Sequence, residues 1–240
     1  MVPRTTPTWV RHSELDRTRW PELRDLVLSF EHEDGALDPR AYPGCPSWPL
    51  PRVRPRPLVS LERVLAQRRS RAMLGEQVPP RAVLGRMLQF AHGISAEGGR
   101  GPVPSAGGLQ ALELYMVNLS AGWVPAGLYH FSRADHCLAQ LATPAARERW
   151  RQLAPSMDLV QGGALLWVIV GDGARVERKY GDRGHRFLVL EAGHLMQNLC
   201  LVSASVRLTT VPLGGYFEGE IARELRLLAS DVVLYIGLCG

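Results

Sequence analysis

Lys179 is the only lysine among 28 Lys+Arg residues, and it stands directly before Tyr180. An arginine keeps its proton near neutral pH, whereas a lysine amine lowers its pKa when desolvated, so Lys179 alone among these cations is suited to act as a proton-transfer base. Two other readings stay open: an Arg-biased composition that leaves one lysine by chance, and an ion pair with Glu177 or Asp182. Three further groups have chemical potential. Arg68, Arg69, Ser70 and Arg71 offer guanidiniums and a hydroxyl that together suit a phosphate, or a solvated charged surface. Pro104-Ser105-Ala106-Gly107-Gly108 is small enough to let backbone approach a flat ligand, with Ser105 suited to capping a following helix. Leu213-Gly214-Gly215-Tyr216 offers backbone N–H groups to a ligand, or simply a turn.

Glu191, His194 and Asn198 fall within about 60° of one another on a helix. Such a polar stripe on an apolar helix must be satisfied. No second Glu-x-x-His occurs, so hydrogen bonds that fasten the helix are expected there rather than a metal. GxSxG is absent and no cysteine sits in a signature with a histidine, which disfavours covalent hydrolysis.

The elements that must position these groups follow from periodicity. Helical patterns cover Leu61 to Gln67 and Arg81 to Ala91, followed by the loop GGRGPVPSAGG and the strands LELYMVNL and GLYHF. ALLWVIV reads as a buried central strand, bounded by Gly163 and by Gly171-Asp172-Gly173. A polar segment ARVERKYGDRGHR leads to the longest helical pattern, Phe187 to about Val206, which is apolar on nearly every side and so is expected inside the protein. VPLGGYF, a short helix EGEIARELRLL and a strand VVLYIGL close the chain. Strands and helices without a regular βαβ rhythm predict an α+β fold.

With 240 residues, 46% hydrophobic and 21% charged, the chain can bury a full core. Residues 1–57 are polar and proline-rich, with turns at Asp34-Gly35 and Tyr42-Pro43-Gly44, and are expected to wrap as an N-terminal extension over a domain of residues 58–240. Cys45, Cys137, Cys200 and Cys239 form no CxxC pair, which fits a reducing cytoplasm. No signal-peptide core and no run of about 18 apolar residues is present, so a soluble protein without membrane association is expected. The net charge of +5 and pI of about 9.3 admit an anionic partner. Arg52, Arg54 and Arg56 alternate with proline and lack interleaved aromatic residues, reading as an extended linker rather than a nucleic-acid arm.

Taken in order, RRSR, PSAGGLQALELYMV, GLYHF, KYGDRGHRFLVLEAGHLMQNL, VPLGGYF and the closing strand resemble the nitroreductase-like flavoproteins, and more specifically the SagB-type azoline dehydrogenases. The resemblance spans roughly residues 58 to 240. It implies an α+β fold with a central, mainly antiparallel sheet flanked by helices. It also implies a homodimer with FMN at the subunit interface. Carried over by position, it assigns Arg68 and Ser70, helped by Arg69 and Arg71, to the flavin phosphate. Ser105, Ala106 and Gly107 are assigned to the loop along the flavin, Gln110 to a flavin-side amide, and Gly214 and Gly215 to the flavin N5/O4 edge. Lys179 and Tyr180 match the pair that azoline-oxidising members use for catalysis. Three departures stand out: Ala72 where a basic residue is usual, no basic C-terminal ligand before Gly240, and Val206-Arg207-Leu208 in place of the Gly-Leu that ends the long helix.

The implied reaction takes two electrons and two protons from a thiazoline or oxazoline in a ribosomal peptide, with oxygen as final acceptor and cyclodehydratase subunits as possible partners. The rival readings are an NAD(P)H-dependent nitroreductase or flavin reductase, and a flavin-binding scaffold without turnover.

Overall fold

The computed structural model describes residues 17–30, 40–55, 59–143 and 146–240. The Asp34-Gly35 turn, Arg56 and the boundary between 57 and 58 lie outside them. The elements in chain order are α1 (Trp20–Ser29), β1 (Ser47–Pro49), α2 (Leu61–Gln67), α3 (Arg81–His92), β2 (Leu112–Asn118), β3 (Gly127–Ser132), β4 (Cys137–Ala142), α4 (Arg147–Leu153), β5 (Leu165–Asp172), α5 (Gly173–Tyr180), α6 (Gly184–Ser205), β6 (Thr210–Leu213), α7 (Glu218–Glu224) and β7 (Asp231–Cys239). The strands form one antiparallel sheet in the order β1-β4-β3-β2-β5-β7-β6. This is the α+β architecture that the interspersed strand and helix patterns predict.

The pleat sends successive side chains to opposite faces, and here both faces are covered. Leu114 and Met116 of β2 and Leu165, Trp167 and Ile169 of β5 pack with α3 and α6. Tyr115 and Val117 of β2 and Leu166, Val168 and Val170 of β5 pack on the other side with Trp150, Leu153 and Ile221 of α4 and α7. Two covered faces explain why β2 and β5 read as nearly continuous apolar runs.

The polar segment after β5 begins as the helix α5. Asp172 caps α5 by accepting from the Arg175 N–H at 3.0 Å, and Val176 and Lys179, three residues apart, form its buried face. A turn at Gly181–Arg183 then reverses the chain into α6. Gly184 permits the crossing, because a Cβ there would fall 2.8 Å from Val176. An 18-residue stretch within residues 173–205 is apolar enough by length and composition to cross a membrane, yet α6 lays Leu188, Ala192, Leu195 and Leu199 on the sheet. The expectation that α6 is enclosed on all sides is corrected: Val189 and Leu190 on its other face are exposed.

Residues 40–55 lie against this domain. β1 adds to the sheet edge beside β4, and Val53 exchanges two hydrogen bonds with the Gln89 side chain of α3. Arg40 grips Asp231 with bonds of 2.6 and 2.8 Å, and the Asp231 side chain has no exposure. The Tyr42 and Tyr115 hydroxyls meet at 2.7 Å beside them. Removing Arg40 strands a buried carboxylate. Arg40→Ala is therefore expected to lower stability by about 3 kcal/mol, with partial recovery when Asp231→Asn is added, as read by urea unfolding.

Candidate active site

Lys179 and Tyr180 end α5, and the Ser105–Gly108 loop lies against them. Gly107 has φ +58° and no room for a side chain, since a Cβ would run into the Tyr180 hydroxyl and come within 2.8 Å of Lys179 Nζ. Gly107 thus supplies both a left-handed backbone and a close approach. The loop is closed by Gly108 N–H to Ser105 O at 3.0 Å and by Gln110 N–H to Ser105 Oγ at 2.8 Å, so Ser105 braces the loop and caps no helix.

Lys179 is only 6% exposed. Its Nζ lies 4.7 Å from the centre of the Phe30 ring, just beyond α1, and 5.8 Å from the Tyr180 ring. Among the described residues no carboxylate pairs with it. Glu177, one of the partners considered from sequence, is instead bonded to His185 at 2.6 Å. Tyr180 packs edge-on against Phe187 at 4.9 Å, and burial, helped by the nearby Glu191 charge, raises its pKa.

Glu191 is the residue that joins these parts. Its Oε1 accepts the Ala106 N–H at 2.6 Å, and Ser105 adds a side-chain hydrogen bond. Burial pushes its carboxyl up to about 7, opposed by the Ala106 and Ser105 bonds. The stripe on α6 is therefore a set of fastenings: Glu191 holds the glycine loop and Asn198 donates to Ala91 O at 3.2 Å, while His194 is exposed. Sequence reasoning saw that Glu191 needed a partner but did not place it in the site. Phe30 carried no sequence signal.

Arg68, Arg69 and Arg71 line a separate cavity of about 320 Å³, together with Arg207, Thr209 and Thr210; Ser70 is exposed and does not line it. Among the described residues no carboxylate lines this cavity. Residues of α6 border both places. Glu191 and Ala204 stand 13 residues apart, or about 20 Å along the axis at 1.5 Å per residue. Gln110 has φ +50° and turns its amide to Arg133, with Nη2 donating to Oε1 at 2.8 Å, so it lines a third cavity with Arg40, Glu113 and His130. Gly214 and Gly215 follow β6 in an exposed turn fastened by Ser156, whose N–H and hydroxyl donate to Gly215 O at 3.1 and 2.7 Å. One chain thus brings Lys179, Tyr180, Ser105, Ala106 and Gly107 together and keeps the arginines and Gln110 in separate cavities.

The Glu191 carboxyl has a sign-definite consequence. Its unfolded value is 4.5 and its folded value about 7, so between these the native state binds more protons and stability falls as pH rises. The loss amounts to at most about 3 kcal/mol and is complete above about pH 7. Glu191→Gln keeps an acceptor for Ala106, so the fall in melting temperature between about pH 5 and about pH 8 is expected to be smaller than in the wild type.

Residues 65–240 match the Nitroreductase family. A nitroreductase-type protein of Methanocaldococcus jannaschii, MJ1384, is 29% identical over 176 residues, covering 73% of this chain and 89% of its own. The microcin B17-processing protein McbC of Escherichia coli is 27% identical over 149 residues, 58% of this chain and 54% of McbC. Among solved structures, the Escherichia coli microcin synthetase McbBCD complex with truncated pro-MccB17 bound superposes with a TM-score of 0.63 at 20% identity, covering 100% of this chain and 98% of that one. A nitroreductase-type protein of Exiguobacterium sibiricum in complex with FMN gives 0.53 at 13% identity, over 76% and 88% of the two chains. The match over most of the chain makes this protein a member of the nitroreductase family, a family of oxidoreductases.

Proposed function

We propose that this protein is an FMN-dependent dehydrogenase of the SagB type, oxidising thiazoline or oxazoline rings of a ribosomally made peptide to thiazole or oxazole. The observation that carries the reading is the pairing of Lys179 Nζ and the Tyr180 hydroxyl over Gly107, with the amine free of any carboxylate among the described residues. Similarity to McbC, a microcin-processing protein, supports a peptide substrate and synthetase partners.

The residues present fit a flavin nucleotide. Gly107 packs its backbone against Lys179 and Tyr180, Gly108 beside it has open space where a side chain would stand, and the arginine cavity offers guanidiniums with no competing carboxylate among the described residues of its lining. FMN, when bound, supplies the two-electron acceptor for the ring. Lys179 takes the proton released from the ring carbon, and Tyr180 orients the amine. Glu191 and Ser105 hold the loop against these two side chains. Arg68, Arg69 and Arg71 would bind the FMN phosphate, with Ser70 exposed between them in the chain. Gly214 and Gly215 present their exposed backbone to the flavin edge.

Because α6 runs about 20 Å from Glu191, which holds the loop beside Lys179, to Ala204, which lines the arginine cavity, the same reading assembles each site from two protomers. The homodimer face is then the exposed side of α6, with Val189 and Leu190, continuing toward the apolar cavity between Phe90, Leu61 and Leu201. The pair Lys179 and Tyr180 favours dehydrogenation over NAD(P)H-dependent nitro reduction. Anaerobic titration distinguishes the two: a thiazoline peptide is expected to bleach the flavin absorbance while NADPH leaves it unchanged, and bleaching by NADPH alone would favour the reductase.

A further inference from the structure

The long helix ends in a residue that its backbone does not favour. Arg207 has φ +64°, and the chain turns through Arg207 N–H to Ala204 O at 3.2 Å and Leu208 N–H to Ser203 O at 2.9 Å. A helix of this length commonly closes on glycine at such a position, because an L side chain in the left-handed region is strained. Here the turn is held from outside. Ser203 Oγ meets Thr210 Oγ1 at 2.7 Å, and Thr209 exchanges backbone bonds of 2.9 and 3.1 Å with Gly240. These contacts keep Arg207 on the wall of the cavity that Arg68, Arg69 and Arg71 line.

Four guanidiniums without a carboxylate repel one another, and the α6 carbonyl end offsets only a fraction of a charge. The arrangement calls for a polyanion. Position 72, next to the Arg68–Arg71 run, is alanine, so Arg207 brings the fourth cation from another element.

We infer that Arg207 is a ligand of the flavin phosphate, closing a four-arginine cradle from the end of α6. This rests on the FMN reading above and adds a residue to it. A left-handed arginine is retained because its guanidinium binds, although glycine fits the backbone better.

The test is Arg207→Gly in the full chain, with flavin removed and FMN or riboflavin added back while flavin fluorescence is followed. Glycine relieves the backbone, so the apoprotein variant is expected to melt about 2–4 °C higher than wild type. Its affinity for FMN is expected to fall about tenfold or more, and its affinity for riboflavin, which lacks the phosphate, to stay the same. An arginine that served only the helix end would leave the ratio of FMN to riboflavin affinity unchanged, and that result overturns the inference. Wild-type protein that binds neither flavin overturns the FMN reading and this inference together, whereas tight FMN binding by both proteins overturns the inference alone.

Discussion

The hydrogen bond from the Ala106 N–H to the Glu191 carboxylate ties a glycine-rich loop to the helix pair that carries Lys179 and Tyr180. Left alone, residues 105–108 would have wide conformational freedom, with Gly107 and Gly108 both at positive φ. A hydrogen bond to a charged group contributes about 1.5–3 kcal/mol, enough to select one arrangement of so short a segment. Its 2.6 Å length and the Ser105 contact place Gly107 directly against the amine and the phenol. The cost is a carboxyl removed from water, and the rise of its pKa to about 7 records that cost.

The sheet explains why this bond can form where it does. β5 is paired on both sides, by β2 and β7, and it delivers Asp172 to the start of α5. From there α5 and α6 run as a hairpin whose crossing depends on Gly184. α6 then spans the domain, with the amine and phenol near its beginning and the arginines near its end. The separation of the two ends along α6 is the geometric basis of the dimeric reading proposed above.

Much of this was legible because hydrophobic burial writes strong patterns. α3, β2, β5 and β7 follow their sequence signals closely, since each buries a regular stripe or most of a strand, and α2 follows its pattern although Val64 alone is buried there. The elements that escaped had little to write with. β1 is three residues ending in proline, and β4 is a Cys-Leu-Ala-Gln run whose strand character comes from its neighbours on both sides. α1 buries no residue, and α4 buries only Trp150 and Leu153. α5 was hidden by its charge, although Asp172 followed by Val176 and Lys179 was a cap and a buried face that could have been recognised. In the candidate site, Lys179 was singled out by residue type and Ser105–Gly107 by small size, Tyr180 came from the resemblance, and the structure brings them together. Glu191 was seen as unsatisfied without its partner being deducible, because the loop it holds lies 85 residues away in sequence. Gln110 turned to Arg133, a long-range pairing that no local pattern encodes.

The central claim is that Lys179 and Tyr180 carry out chemistry on a peptide ring rather than merely lining a flavin. Mass spectrometry of a thiazoline-containing peptide incubated aerobically with the flavin-loaded protein tests it most directly, with Lys179→Ala carrying the same flavin content alongside. The account predicts loss of two hydrogens per ring with the wild type and an unchanged mass with the variant. Equal conversion by both proteins, or no conversion by flavin-loaded wild type, would contradict it.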